Sequence, residues 1–344
     1  MTRSKQITEP DLLADPFGER TRMLTRKQLH LLGARFQFES NSPRLLRLVD
    51  SAFAGLPRHR LSDIAPHLNV KLLLGPEERP RANKRSDPPP LSMFSGPGYL
   101  GGATEASNFI VLSPSTRSAL VAVSRQMLRF PYHTRYECIE FAVFLLASRS
   151  QGLVSLHAAC VGRDGRGILL MGPSGSGKST VTLLSVLQGL DILSEDSVFV
   201  APETMLATGV TNFLHVRSDS LRWVAAARHA ATIRKSPTIK RRSGVRKFEV
   251  DLRRGGYRLA ASPLRITAVV FLSPRSAGGR PLLKSLPKSA LLAKLKAQQA
   301  YAANQPEWST FSKSVLRLNA YELRRGHHPL EAIDALKRIL ESAG

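Results

Sequence analysis

The chain has 344 residues, 42% of them hydrophobic. That is enough to bury a sizeable core in one large domain or two ordinary ones, and it excludes a wholly disordered protein. Fifty Lys and Arg against 26 Asp and Glu give a formal charge of +24, which favours anionic partners such as an acidic protein or peptide. Aromatics make up only 6% and no homeodomain, zinc-finger or RNP-like motif is present, so nucleic acid is not the expected partner.

From the N-terminus, the polar start MTRSKQITEP lacks the apolar region of a signal peptide. The longest apolar runs, such as FAVFLLA at 141 to 147, fall short of the roughly 20 residues that cross a bilayer. The expectation is a cytoplasmic protein with no membrane contact. Residues 24 to 74 carry short apolar segments, ARFQFES and VKLLL, around a helical SPRLLRLVDSAFAGL with a Ser-Pro start, and read as a small α/β region. Between about 75 and 108, Pro, Gly and Arg dominate and no apolar period survives, which reads as a long loop or linker. The domain expectation is an N-terminal region over 1 to 115 and a second domain over 116 to 344. A helical pattern resumes over 117 to 148, with Cys138, Phe141, Ala142 and Leu145 on one stripe. The two cysteines, Cys138 and Cys160, show no metal-like spacing and read as buried small residues.

Strand and helix signals then alternate: LVSLHAACV at 153 to 161, ILLM at 168 to 171, a glycine loop, a helix through Leu187, then DILS and SVFVA. FLHV at 213 to 216, KFEVDL at 247 to 252 and ITAVVFLS at 266 to 273 are further strand candidates. The Arg- and Lys-dense stretch from 228 to 247 reads as a mobile surface loop, with a flap over phosphates or an acidic substrate as its functional alternative. From Lys288 onward the chain reads as helices.

The loop itself is Gly172, Pro173, Ser174, Gly175, Ser176, Gly177, Lys178, Ser179, Thr180. Gly172, Gly177, Lys178 and Ser179 match the spacing G-x-x-x-x-G-K-[ST], with an apolar strand before and an apolar helix after. Glycines let successive amides turn inward to phosphate oxygens, and the helix adds its positive N-terminal end. In this pattern the lysine reaches the β- and γ-phosphates of ATP and the serine hydroxyl ligates Mg²⁺. Seventeen residues beyond Lys178 stand two adjacent acids, Glu195 and Asp196, and His157 lies fifteen before Gly172.

SLHAACVGRDGRGILLMGPSGSGKST followed by GLDILSEDSVFV resembles the catalytic domain of bacterial HPr kinase/phosphorylase and, more closely, the HPr-kinase-like serine kinases found near peptide-modification genes. The motifs cover about 150 to 273. The resemblance implies an α/β P-loop kinase core of the HPr kinase and phosphoenolpyruvate carboxykinase type, a mixed sheet flanked by helices, with a small N-terminal α/β region and C-terminal helices. It implies ATP and Mg²⁺ as cofactors and a serine of a peptide or small protein as acceptor. By resemblance Glu195 takes the acceptor side, Asp196 and Ser179 the metal side, and His157 a neighbouring tuning role. The family usually places Asp first in the acid pair, so Glu195 is a departure. Arg217 is read either as a phosphate contact or as a surface strand end. A small-molecule kinase and a nucleotide-binding regulator without phosphoryl transfer are the alternatives, and a homo-oligomer is compatible with each.

Overall fold

A computed structural model describes residues 24–75, 87–104 and 107–342. The chain start and residues 76 to 86 of the expected linker lie outside the described residues. In the N-terminal half, β1 (Thr25–Leu31), β2 (Ala34–Ser40), α1 (Pro43–Phe53), β3 (His67–Leu74), β4 (Ser92–Gly96), β5 (Tyr99–Thr104), β6 (Asn108–Ser113) and β7 (Ser118–Val123) build a seven-stranded sheet in the order β1-β2-β3-β7-β6-β5-β4. The alternation in β2 buries Ala34, Phe36 and Phe38, the period-2 pattern of a strand with one face in the core. Against that face pack Leu45, Val49 and Phe53 of α1, and each such side chain contributes about 1.5–3 kcal/mol on burial.

Two expectations fail here for the same reason. The linker reading ends at β4 and β5, and the helical pattern from 117 begins with β7, because pairing across a sheet overrides weak local signals. Gly101 of β5 lies under the Phe94 ring, and a Cβ there would stand 2.2 Å from the Ile110 carbonyl oxygen. A glycine that looked like a loop residue is what lets these strands close up.

Helix α2, residues 131 to 150, contains a π-helical stretch over Thr134–Glu140. Its buried face is Ile139, Ala142, Val143, Leu146 and Ala147, so Phe141 and Leu145 of the expected stripe are only partly buried. Both cysteines are buried, and burial pushes the Cys138 thiol up to about 12.

The second sheet contains β8 (Val154–His157), β9 (Ala159–Arg163), β10 (Arg166–Met171), β11 (Asp191–Ser194), β12 (Ser197–Val200), β13 (Leu206–Gly209), β17 (Leu264–Ser276), β18 (Leu283–Ser285) and β19 (Asn319–Arg325). Its path is β11-β9-β10-β17-β13-β12-β8, with β19 parallel to β17 and β18 beside β19. Segments 154–163 and 191–200 run antiparallel throughout: Cys160 faces Ser194 and His157 faces Ser197. The ladder breaks between those pairs, at Glu195 and Asp196. The path from β9 through β10, β17 and β13 to β12 returns to the same two segments, so the sheet is rolled and the break lies at its seam.

Helices cover both faces, which explains the continuous apolar run of β10. Leu169 and Met171 face the cluster of α5 (Lys288–Gln298), α6 (Ala300–Ala303) and α7 (Trp308–Val315), whereas Ile168 and Leu170 face α3 (Lys178–Leu187) and α8 (Leu330–Ser342). The C-terminal part is thus not wholly helical, since AYELRR forms β19.

A third sheet, β14 (Phe213–Val216), β16 (Arg246–Asp251) and β15 (Thr238–Lys240), packs with α4 (Ala227–Arg234) on Leu183 and Val186 of α3. The basic stretch 228 to 247 is therefore a folded helix and hairpin rather than a mobile loop. Ala230, Ile233 and Ile239 are buried among its charges, and they anchor it.

Candidate active site

β10 ends at Met171, the loop Gly172 to Gly177 follows, and α3 starts at Lys178. Gly175 and Gly177 have φ of +79° and +99°, with nothing within 4 Å of where a Cβ would stand. Both conformations favour glycine, and the space beside the loop is open. The Ser176 Oγ is buried without a hydrogen-bond partner among the described residues, a donor available to something that enters the loop. A cleft of about 670 Å³ runs along it, bounded by the loop, the acid pair, Arg217, Trp223, the β15–β16 hairpin and the Arg325–His328 turn.

Behind the loop the ladder break sends the two acids to different partners. Ser179 Oγ donates to Glu195 Oε1 at 2.8 Å. The other oxygen, Oε2, accepts from the His215 backbone N–H at 2.9 Å and lies 3.0 Å from its ring Nδ1. Asp196 Oδ1 pairs with Lys178 Nζ at 3.1 Å and lies 3.3 Å from His157 Nδ1, while Oδ2 accepts from the Tyr136 hydroxyl at 3.2 Å. Glu195 is buried, whereas the Asp196 side chain is 31% exposed and that of His157 63%. The His157 backbone is clamped on both sides by the buried Gln299 amide, at 2.8 and 3.0 Å.

His215 faces Glu249 in the β14–β16 register, with Nε2 3.3 Å from Glu249 Oε1. Arg135, from the π-helical stretch of α2, grips Glu249 with both terminal nitrogens and has Nε 3.0 Å from Glu140. Its guanidinium lies 4.2 Å from the Phe213 ring centroid. Asn212 joins Glu140 to the Ala52 carbonyl of α1. A buried polar chain thus runs from Ser179 to the N-terminal half.

Burial alone would push the Glu195 carboxyl up, but the hydrogen bonds and charge of His215 outweigh it and hold it below the ordinary range. Likewise burial would lower His215, yet the bonds to Glu195 and Glu249 hold it above its ordinary value. For Asp196, Lys178 and His157 overcome burial and keep the carboxyl well below the usual carboxylate range. Both acids are therefore ionised near neutrality, Asp196 against the Lys178 ammonium and Glu195 under the hydrogen bonds of Ser179 and His215.

The structure brings Glu195, Asp196, His157, Lys178 and Ser179 to one place. Thr180 is turned toward Ser220, with the two hydroxyls 2.9 Å apart. Arg217 lines the cleft beside Asp219 at 3.4 Å. Sequence reasoning missed His215, Glu249, Arg135 and Tyr136. The available signal was a histidine inside the apolar strand FLHV and a glutamate flanked by apolar residues in KFEVDL.

No protein-family model matches the sequence, and a comparison with curated proteins gives no match. Among solved structures, the Hpr(Ser) kinase/phosphatase from Coxiella burnetii is similar with a TM-score of 0.29 and 14% identity, covering 55% of this chain and 99% of that chain. Among the described residues no helix is long and apolar enough to cross a membrane.

Proposed function

We propose that this chain is an ATP- and Mg²⁺-dependent kinase that transfers the γ-phosphoryl group to a hydroxyl, with a serine of a peptide or small protein as the acceptor. The observation that carries this reading is the pair of contacts Ser179–Glu195 and Lys178–Asp196, at 2.8 and 3.1 Å, directly beneath the glycine loop. They join a phosphate cradle to two separately held carboxylates. The residues fit the absent groups. Open space at Gly175 and Gly177, the orphaned Ser176 hydroxyl and the N-terminus of α3 suit phosphate oxygens. Ser179 and Glu195 are hard oxygen ligands of the kind Mg²⁺ takes alongside nucleotide phosphates.

In this reading Glu195 takes the metal side and Asp196 the acceptor side, the reverse of the roles inferred from sequence. Glu195 is buried and hydrogen-bonded at both oxygens; Asp196 opens to the cleft beside His157. Asp196 orients the acceptor hydroxyl and takes its proton as the oxygen bonds to the γ-phosphorus and the bond to the β-γ bridging oxygen breaks. Lys178 neutralises charge on the phosphates. Mg²⁺, when bound, balances the charge on the phosphate oxygens. As Lys178 turns to phosphate, Asp196 loses part of what holds its pKa down and becomes a stronger base.

Two substitutions separate the roles. Glu195→Gln is expected to raise the Mg²⁺ needed to bind an ATP analogue. Asp196→Asn is expected to leave that binding near wild type while lowering labelled phosphate transfer to a library of serine peptides by about 10²-fold or more. The opposite split would restore the sequence-based roles. An ATP analogue that binds while wild type labels no acceptor would favour the regulator, and no binding at all would remove the phosphate cradle.

A further inference from the structure

The β15–β16 hairpin forms the cleft wall across from the glycine loop, and its cations divide into two sets. Lys240 pairs with Asp87 at 2.9 Å, and Arg242 grips Glu137 and the Pro88 and Pro89 carbonyls. These two fasten the hairpin to α2 and to the segment before β4. Arg241 and Lys247 face the cleft instead. Arg241 is laid over the Tyr136 ring, 5.0 Å from its centroid, with a terminal nitrogen 3.2 Å from His215 Nδ1, while its Nε is buried without a partner. Lys247 is half-buried, and its ammonium makes no hydrogen bond or ion pair among the described residues. Burial, with Arg241 and Lys178 nearby, pulls its pKa down, against the opposing pull of Glu195 and Asp196.

Those acids do not offset it. Glu195 is taken by Ser179 and His215, and Asp196 by Lys178, His157 and Tyr136. An ammonium drawn partly out of water among other cations is costly unless an anion joins it. The nucleotide phosphates already have the loop amides, Lys178 and the N-terminus of α3 on the other wall. On the hairpin wall the Lys247 ammonium, with Arg241 beside it, is left for the second substrate.

We propose that Lys247 and Arg241 form an anion subsite for the acceptor, and that the acceptor is an acidic peptide segment whose hydroxyl is flanked by Asp or Glu. This rests on the kinase reading above and names its substrate class. A carboxylate next to the hydroxyl would be held by the hairpin cations while the hydroxyl faces Asp196. The +24 charge of the chain supplies long-range attraction, and these two cations supply register.

The test uses three fluorescent serine peptides of equal length, flanked by Asp/Glu, by Asn/Gln or by Lys/Arg. Their binding is measured by polarisation with the full chain at physiological salt, saturated with Mg²⁺ and a non-hydrolysable ATP analogue. The acidic peptide is expected to bind at least about tenfold more tightly than the neutral one, and Lys247→Met to remove about that factor. Arg44→Ala with Arg47→Ala removes two charges from the exposed face of α1 and controls for diffuse attraction; its effect is expected to stay under about twofold. Equal binding of the three peptides overturns the subsite, as does a loss in the α1 variant equal to that of Lys247→Met. Weakened binding of the ATP analogue by Lys247→Met, with peptide binding intact, overturns it by moving Lys247 to the nucleotide. The kinase reading fails separately, if the analogue does not bind wild type or binds Lys178→Met unchanged; the peptide comparison is then decided by Lys247 alone.

Discussion

His215→Gln tests the buried chain behind the loop. The wild-type ring bridges Glu195 at 3.0 Å and Glu249 at 3.3 Å, and all three residues are buried. Glutamine keeps much of the volume and can donate to one acid, but it carries no charge. Hydrogen bonds to charged groups contribute about 1.5–3 kcal/mol each. Glu249 keeps Arg135, and Glu195 keeps the Ser179 hydroxyl and the His215 backbone N–H. One charged bond is lost and the other becomes neutral, so the loss is about 2–3 kcal/mol, or roughly 30- to 150-fold in the folding equilibrium. Urea denaturation followed by the fluorescence of Trp223 and Trp308 measures it. The loss depends on pH. The raised pKa of His215 contributes stability that is fully present below its ordinary value of about 6.5 and is lost as pH rises through the folded value. The lowered pKa values of Glu195 and Glu249 contribute stability present above about 4.3 and lost as pH falls through their folded values. The gap between wild type and variant should thus be widest between about pH 4.5 and 6.5 and should narrow toward alkaline pH. A gap that stays constant from about pH 5 to 9, or no gap, refutes the charged bridge.

Two further outcomes follow from the same contacts. Lys178→Met removes a fixed counter-charge of the phosphates and should weaken binding of an ATP analogue by about tenfold or more in isothermal titration; unchanged affinity would separate the glycine loop from nucleotide. Arg135→Met leaves Glu249 and Glu140 without their shared cation in the core and should cost about 3–5 kcal/mol in urea denaturation, and a loss under about 1 kcal/mol would mean that the chain's charges are compensated elsewhere.

What could be read from the sequence was local. The loop from Gly172 to Thr180 announces its geometry within nine residues, and the apolar runs of β10 and β17 are unmistakable. β4, β5 and β7 were missed because glycine, serine and alanine form strands there only by pairing with neighbours. The stretch from 228 to 247 reads as a loop because its buried Ile233 and Ile239 are sparse among arginines and lysines, although KFEVDL after it reads as the strand it is. Partnership of His215 with Glu249 depends on a register across 34 residues, and nothing local declares which strand β14 will join. Arg135 is further off still, 114 residues from the glutamate it grips.

The ladder break also explains why a glutamate in first place is accommodated. Within an unbroken ladder, adjacent side chains point to opposite faces, and one of these acids would enter the core of the rolled sheet. At the break the Ser197 backbone N–H turns to the Ser194 hydroxyl at 3.2 Å, and Ala158 and Ala159 beside His157 present little bulk. Both carboxylates can then leave toward the loop by different routes. Glu195 must reach the first turn of α3 and the backbone of β14 at once, and it does so with one oxygen on each. Aspartate is shorter by one C–C bond, about 1.5 Å, more than the slack in hydrogen bonds of 2.8 and 2.9 Å. The longer side chain is therefore what joins Ser179 to His215 in this fold. Asp196, one residue on, keeps the shorter reach that leaves it at the mouth of the cleft beside Lys178 and His157.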